Sequence, residues 1–444
     1  MKLDKKWFFP LFIVLAIAVI GLFSPHSVNP EPGEPAQAAD IAWMLTASGL
    51  VLLMTPGLSF FYGGMVTRKN VISTLLQSFV SLGVISILWV FVGFSLTFGD
   101  SIGGEGTGLI GNPFTFFMFQ GVDTQTHLSL SPTIPLVLFA LFQLKFAIIT
   151  PALITGAFAE RVRFSSYLLF ITLFCLLIYC PVAHWTWHPN GFLRKWGVLD
   201  FAGGTVVHMV AGFAALAGAL ALGRRENHLK RETHSPANIP FVVLGTGMLW
   251  FGWFGFNAGS AFGANEIATQ AFLTTNTASA AGMITWIFFD GFLGRKPSAL
   301  GACIGAVVGL VAITPAAGFV TVGDSLFIGC SAALVSNFAV HIKSKSTLDD
   351  TLDVFPCHGV GGIWGMLLTG ILAKKSINEA GDDGLLMGNS ALFIHHLYAL
   401  IIVGTFAFVG SYLLFKLVNK LLPMRVTFEQ EQVGLDISQH GEKM

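Results

Sequence analysis

The sequence predicts an all-α integral membrane protein: eleven transmembrane helices, ten of them forming a five-plus-five inverted repeat and the eleventh peripheral. Three observations carry this prediction. The 444 residues are 54% hydrophobic and only 11% charged, whereas soluble domains carry about 25% charged residues; mean hydropathy is +0.72. Eleven apolar stretches are long enough to cross a hydrocarbon core about 30 Å thick, which takes about 20 residues each. Finally, the two halves echo one another: "ITPA" occurs at Ile149–Ala152 and Ile313–Ala316, and the fifth and tenth stretches each place an aspartate before a buried-looking histidine. Five helices per repeat is an odd number, so the second copy must be inverted across the membrane, as in many transporters.

The chain opens with Lys2, Lys5 and Lys6, an apolar run from Trp7 to Phe23, and a Pro-rich segment ending "AQAAD". This is the pattern of a secretory signal peptide, with Ala36 and Ala38 flanking the cleavage site; an uncleaved extra helix is the rival reading. The expected organisation is therefore a leader over 1–38, a transmembrane domain over 39–418 and a cytoplasmic tail over 419–444. The expected spans lie near 41–64, 72–98, 132–158, 164–185, 200–223, 237–259, 267–289, 298–316, 318–341, 354–373 and 390–418. With the mature N-terminus outside, fifteen Lys and Arg fall on the cytoplasmic side, Arg68, Arg161, Arg225 and Lys343 among them. Only Arg194, Lys195, Lys374 and Lys375 fall outside, as the positive-inside rule requires.

Net charge is zero by side-chain count, and no basic run suggests nucleic-acid binding. Cys175, Cys180, Cys303, Cys330 and Cys357 are scattered singly, without metal-ligand spacing, and read as small core hydrophobes. No cofactor is expected. Gly301, Gly305 and Gly309, with Gly361 and Gly365, repeat the spacing that lets helix backbones approach closely in lipid.

"DFAGGTVVHMVAG" (200–212) and "DVFPCHGVGGIWG" (353–365) pose the functional question. Asp200 and Asp353 are expected to head the fifth and tenth helices, where a carboxylate suits the helix N-terminus. At 1.5 Å per residue, His208 then lies about 12 Å from one membrane face and His358 about 7–8 Å from the other. Imidazoles at that depth are functional candidates by default. They could be hydrogen-bonded glue between helices. Paired haem ligands are another reading, but the remaining histidines, such as His184, His188, His395 and His396, read as lying in loops or near helix ends. A hydrolase using Ser260 lacks a GxSxG elbow, and no HExxH is present. A pore for a small cation fits best. "LFQLKFAIITP" supplies Phe142 and Phe146, "AHWTWHP" supplies Trp187, and "WFGWFGFNAGS" supplies Phe256 and Ser260; aromatic faces attract cations and a serine hydroxyl accepts a hydrogen bond.

Together with "PGLSFFYGG", "FAIITPALITGAFAERVRFS", "GWFGFNAGSAFGANE", "LGACIGAVVGLVAITPAAG" and the tail "GLDISQHGE", these stretches resemble the ammonium transporter family, the Amt branch of the Amt/Rh superfamily, from about residue 40 to the end. The resemblance implies a non-enzymatic homotrimeric channel in a bacterial inner membrane, with one conduction path per subunit for ammonium or methylammonium. It implies Phe146 and Phe256 as a stacked gate, and Trp187 with Ser260 as an external recruitment site also lined by Phe146. Asp200 would support that site, and His208 with His358 would form a twin-histidine pore. Phe142 and Gln143 would line or support the vestibule. The loop Arg224–Pro236 and the tail, polar and mobile by composition, would dock a PII-type signal protein. One departure stands out: Lys145 precedes the gate residue where the family more often has an apolar or small side chain. Either it faces the vestibule and repels ammonium, or it points outward toward lipid or a neighbouring subunit. The first case keeps a second reading open, a membrane ammonium sensor that conducts little.

Overall fold

The computed structural model describes residues 7–25, 27–29, 31–103, 107–232 and 235–444. Lys2, Lys5 and Lys6 of the leader, and Thr233 and His234 of the Arg224–Pro236 loop, lie outside the described residues. The chain is predominantly helical. In order, the helices are α1 Phe8–Phe23, α2 Ala38–Met65, α3 Arg68–Phe98, α4 Leu136–Phe158, α5 Phe164–Lys195, α6 Gly204–Leu222, α7 Ile239–Ala261, α8 Glu266–Phe292, α9 Ala299–Ile313, α10 Val322–Lys345, α11 Phe355–Leu372, α12 Ser390–Leu421 and the short α13 Phe428–Val433. Among the described residues, nine are long and apolar enough to cross a membrane: α2 to α7 and α10 to α12. The stretches expected near 267–289 and 298–316 are helical as α8 and α9, but α9 has 15 residues.

The third span starts later than its apolar run suggests. Thr126–His127 (β1) pairs antiparallel with Ser131–Pro135 (β2), so α4 begins only at Leu136. The preceding segment joins this hairpin: Leu128 N–H donates to Glu31 O (3.1 Å), Gly33 N–H to Thr126 O (3.3 Å) and Gln37 N–H to Thr133 O (2.9 Å). The starts of α2 and α4 therefore share one face of the bundle. Asp40 of α2 accepts from Ala264 N–H just before α8 (2.8 Å), which puts the start of α8 on that face too.

Two close approaches fix the packing. Gly305 and Gly309 of α9 press on α8, where a Cβ on either would come within 2.7 Å of the Gly282 or Ala278 carbonyl oxygen. Gly212 of α6 crosses Gly359 of α11 so closely that a Cβ would meet the Gly359 backbone at 2.2 Å. That crossing brings the fifth and tenth spans together in the core.

The heads of these two spans correct one expectation. Asp200 lies in the turn before α6, and its carboxylate accepts from Gly203 N–H (2.7 Å), Gly204 N–H (2.6 Å), Thr205 N–H (2.8 Å) and Thr205 Oγ1 (2.5 Å). Its counterpart is Asp350 rather than Asp353: Asp350 accepts from Val354 N–H (3.1 Å) and Phe355 N–H (2.7 Å). Asp353 sits in a left-handed turn (φ 59°) and pairs with Lys343 at 2.6 Å. Asp200 and Asp350 each stand eight residues before their histidine, and both spans open in a π-helical turn, Gly204–Met209 and Phe355–Gly359. Such turns are uncommon and concentrate at functional sites.

The polar end segments make specific contacts with the helical bundle. Arg225 makes a bidentate contact with Asp349 and bonds Glu160 at 2.7 Å, all three buried. Burial raises the Asp349 carboxyl, but its Arg225 hydrogen bonds outweigh this and hold it down at about 2. The tail then docks on this face. Lys69 Nζ donates to the Glu431 and Gln432 carbonyls, Ser73 N–H to Asp436 Oδ1 (2.8 Å), and Leu435 N–H to Asn70 Oδ1 (2.8 Å). Helix α12 runs to Leu421, three residues past the expected boundary.

Candidate functional site

The site is assembled from α4, α5, α6, α7 and α11. The Asp200 cap holds the turn into α6, and the carbonyl of the same residue accepts from Trp187 Nε1 of α5 at 3.2 Å. One aspartate thus ties the tryptophan to the head of the histidine helix. Phe146 of α4 meets the Trp187 ring edge-on, 5.5 Å between centroids, and lies 4.3 Å from Phe256 of α7. Phe256 is 6.1 Å from the His208 ring, which is 5.4 Å from His358. Five of the sequence-predicted residues therefore form one continuous row of rings, in the order Trp187, Phe146, Phe256, His208, His358.

Ser260 stands one turn beyond Phe256 and donates to its carbonyl at 2.9 Å. Phe142 packs edge-on to Phe146 at 5.0 Å, and Gln143 is buried beside it in α4. Lys145 does not join the row: it is half-buried on the outer face of α4.

The two imidazoles face each other through Nδ1, 3.4 Å apart. Only one of two facing nitrogens can carry the shared proton when both rings are neutral, so the rings hold opposite tautomers. His208 Nε2 is buried with no protein partner. The same residue lines a narrow cavity with His358, Phe256, Trp253, Phe61 and the aliphatic side chains of α2, α4, α6, α7 and α9. The lining is apolar except for the imidazoles. A neutral polar molecule can travel there by exchanging hydrogen bonds with ring nitrogens; a bare cation finds no anion to replace its hydration.

Three features escaped the sequence reading. Trp253 stacks on His208 (5.4 Å, 19° between planes) and donates from Nε1 to Thr314 Oγ1 at 2.9 Å. It stands three residues before Phe256, so helical spacing already placed it on the same face. His184 and His396, expected near helix ends, are fully buried. Their ring nitrogens are occupied: His184 by Thr97 O and Ser101 Oγ, both at 2.8 Å, and His396 by Met366 O and Leu199 N–H. Those four hydrogen bonds leave neither histidine a nitrogen for haem iron. No cluster of three potential metal ligands occurs among the described residues, and the five cysteines are free thiols.

Comparison with known proteins shows the family of the chain. The family model for the Ammonium Transporter Family matches residues 42–444. The chain is 46% identical over 412 residues to an ammonium transporter of Bacillus subtilis, covering 92% of this chain and 98% of that one. It superposes on the crystal structure of Candida albicans Mep2 with a TM-score of 0.84 at 35% identity, covering 92% of this chain and 90% of the other. A structure described as a sensor Amt protein aligns with a TM-score of 0.80 at 29% identity, covering 90% and 98%. Its relatives being membrane transporters rather than enzymes, the chain belongs to the Ammonium Transporter Family.

Proposed function

We propose that the chain recruits ammonium at Trp187 and Ser260, passes it by Phe146 and Phe256, removes its proton there, and conducts neutral ammonia along His208 and His358. The observation that carries this reading is the change of lining along the ring row: aromatic faces at one end, with the Ser260 hydroxyl one turn from Phe256, then an apolar cavity whose polar groups are two imidazoles. Ammonium is an amine acid like lysine, whose reference pKa is about 10.4, so in neutral water the charged form is what aromatic rings select. Inside the cavity desolvation favours the neutral amine. The Nδ1 contact, able to accept a proton on one side and donate on the other, supports a proton relay beside the ammonia path, and hence net charge transport.

Radiolabelled methylammonium uptake into proteoliposomes tests the reading. Native protein should accumulate it, and His208→Ala together with Phe146→Ala should change rate or selectivity. Native protein that binds the analogue but accumulates none would favour the sensor reading, which the sensor Amt neighbour keeps in view.

The rest of the assignment follows the family. Eleven spans, α2 to α12, in a five-plus-five inverted repeat are supported by the matched Asp200–His208 and Asp350–His358 spacings and their paired π-helical turns. Three copies assemble as a homotrimer in a bacterial inner membrane, mature N-terminus outside and tail inside. Residues 1–38 act as an export leader cut after Ala38. Intact mass of the membrane-purified chain tests that site, since a retained 31–37 segment would keep its bonds to the hairpin. The folded tail and the Arg224–Pro236 loop form the surface for a PII-type protein; a pull-down across nucleotide and 2-oxoglutarate states that retains nothing would remove that partner.

A further inference from the structure

Lys145 is the charged side chain that the ring row leaves unexplained. It continues an outward stripe of α4, Val137, Leu141 and Lys145 at four-residue spacing, while the remainder of that helix is almost wholly buried. No described side chain or backbone group gives it an ion pair or hydrogen bond. A second outward face runs down α8, where Phe272, Leu273, Ile284 and Phe288 are exposed. In the middle of that face stands Asn276, exposed and likewise without a hydrogen-bond partner among the described residues.

The two side chains match in depth. Helices α4 and α8 start on the same face of the bundle, as the Gln37 and Asp40 contacts establish. Lys145 is nine residues past Leu136 and Asn276 ten past Glu266, which at 1.5 Å per residue is about 14 Å and about 15 Å. Hydrocarbon tolerates neither an ammonium nor an amide without a partner, and membrane helices use such groups as interhelical glue. A lysine can only donate, while the asparagine carbonyl can accept. Within one chain the two helices are not packed on each other: α4 packs on α2, α2 on α7 and α7 on α8.

We propose that Lys145 of one copy donates to the Asn276 carbonyl of the next, joining the outward face of α4 to the outward face of α8 around a closed ring. Two different patches in contact make a heterologous interface, the kind that generates rings. The inference rests on the homotrimer reading and names the contact that would hold it. It also removes Lys145 from the ion path.

The test is an exchange of the pair, read as the temperature at which the purified oligomer dissociates, with native mass spectrometry of unaltered protein run first. Asn276→Lys should lower that temperature by several degrees through like-charge contact, and Asn276→Asp should raise it. Adding Lys145→Gln to Asn276→Lys should recover at least half the loss, because the swapped pair restores donor and acceptor. A native trimer whose single variants are unaffected, or whose swap recovers nothing beyond the sum of the singles, overturns the contact and leaves the trimer standing. A native monomer overturns both. Lys145→Met should leave low-ammonium uptake within about twofold; a large gain in apparent affinity would put the lysine in the vestibule and overturn the proposal.

Discussion

Replacing Asp200 by Asn tests whether this carboxylate acts as a scaffold for the site. Its two oxygens receive the Gly203, Gly204 and Thr205 amides and the Thr205 hydroxyl, all at 2.5–2.8 Å. An asparagine oxygen can keep the first two donors, but its NH2 then faces the Thr205 N–H. One buried donor is orphaned, costing about 1–3 kcal/mol, and the retained bonds lose their charge assistance, roughly 1 kcal/mol each. The sum, about 3–5 kcal/mol, falls on the turn that carries both the Trp187 contact and the start of the His208 helix. Hydrogen exchange reads it directly: at 1.4 kcal/mol per decade, the 203–206 amides should exchange about 10²- to 4 × 10³-fold faster if they open locally, while those near Asp350 stay protected. Methylammonium uptake should fall in parallel. Unchanged protection would refute the scaffold argument. Lost uptake with unchanged protection would show that the carboxylate acts on the cation itself.

Other outcomes follow from the same geometry. Arg225→Lys cannot reproduce the bidentate contact with Asp349 plus the Glu160 bond; leaving a buried carboxylate unpaired costs about 3–5 kcal/mol, so the melting temperature should drop sharply, and a drop of a degree or less would contradict the hub. Gly212→Ala forces a Cβ into the Gly359 backbone, so it should separate the histidine helices and abolish uptake, whereas Gly247→Ala, with nothing within 4 Å of its Cβ, should be silent. Burial raises the Asp350 carboxyl to about 6, with Lys343 pulling the other way. The folded chain therefore holds that proton more tightly than the unfolded one, and the stabilisation present below about pH 4 is lost as pH rises through 6, about 3 kcal/mol in all. Thermal melts of native protein should lose stability from pH 4 to 7 relative to Asp350→Asn; parallel curves would contradict the assignment.

Much of this was legible in the sequence because hydrocarbon imposes a strict rule: twenty apolar residues make a helix, and the exceptions, His208 and His358, stand out against that background. The aromatic row was legible for a different reason: each member stands in a short motif of its own, on five different helices, and the motifs together carry the family resemblance. What was not legible came from contacts between segments far apart in the chain. Nothing local distinguishes Asp350 from Asp353 as the cap; the left-handed turn at Asp353 and its Lys343 partner decide it. The tail reads as polar and mobile, but its polar groups find Lys69, Asn70 and Ser73 more than 350 residues away. The hairpin over 126–135 is hidden because its residues resemble the start of an apolar span. Trp253 stands at i−3 from Phe256, but a membrane tryptophan by itself is more often an interface residue than part of a site.

The central claim is that the ring row admits a charged amine and the histidine passage carries it neutral, with the proton handed along the imidazole pair. Ammonium-dependent current across proteoliposome membranes, compared between native protein and His208→Ala at matched protein incorporation, addresses it most directly. The account predicts a current in the native protein that disappears in the variant; an undiminished current through His208→Ala would contradict it.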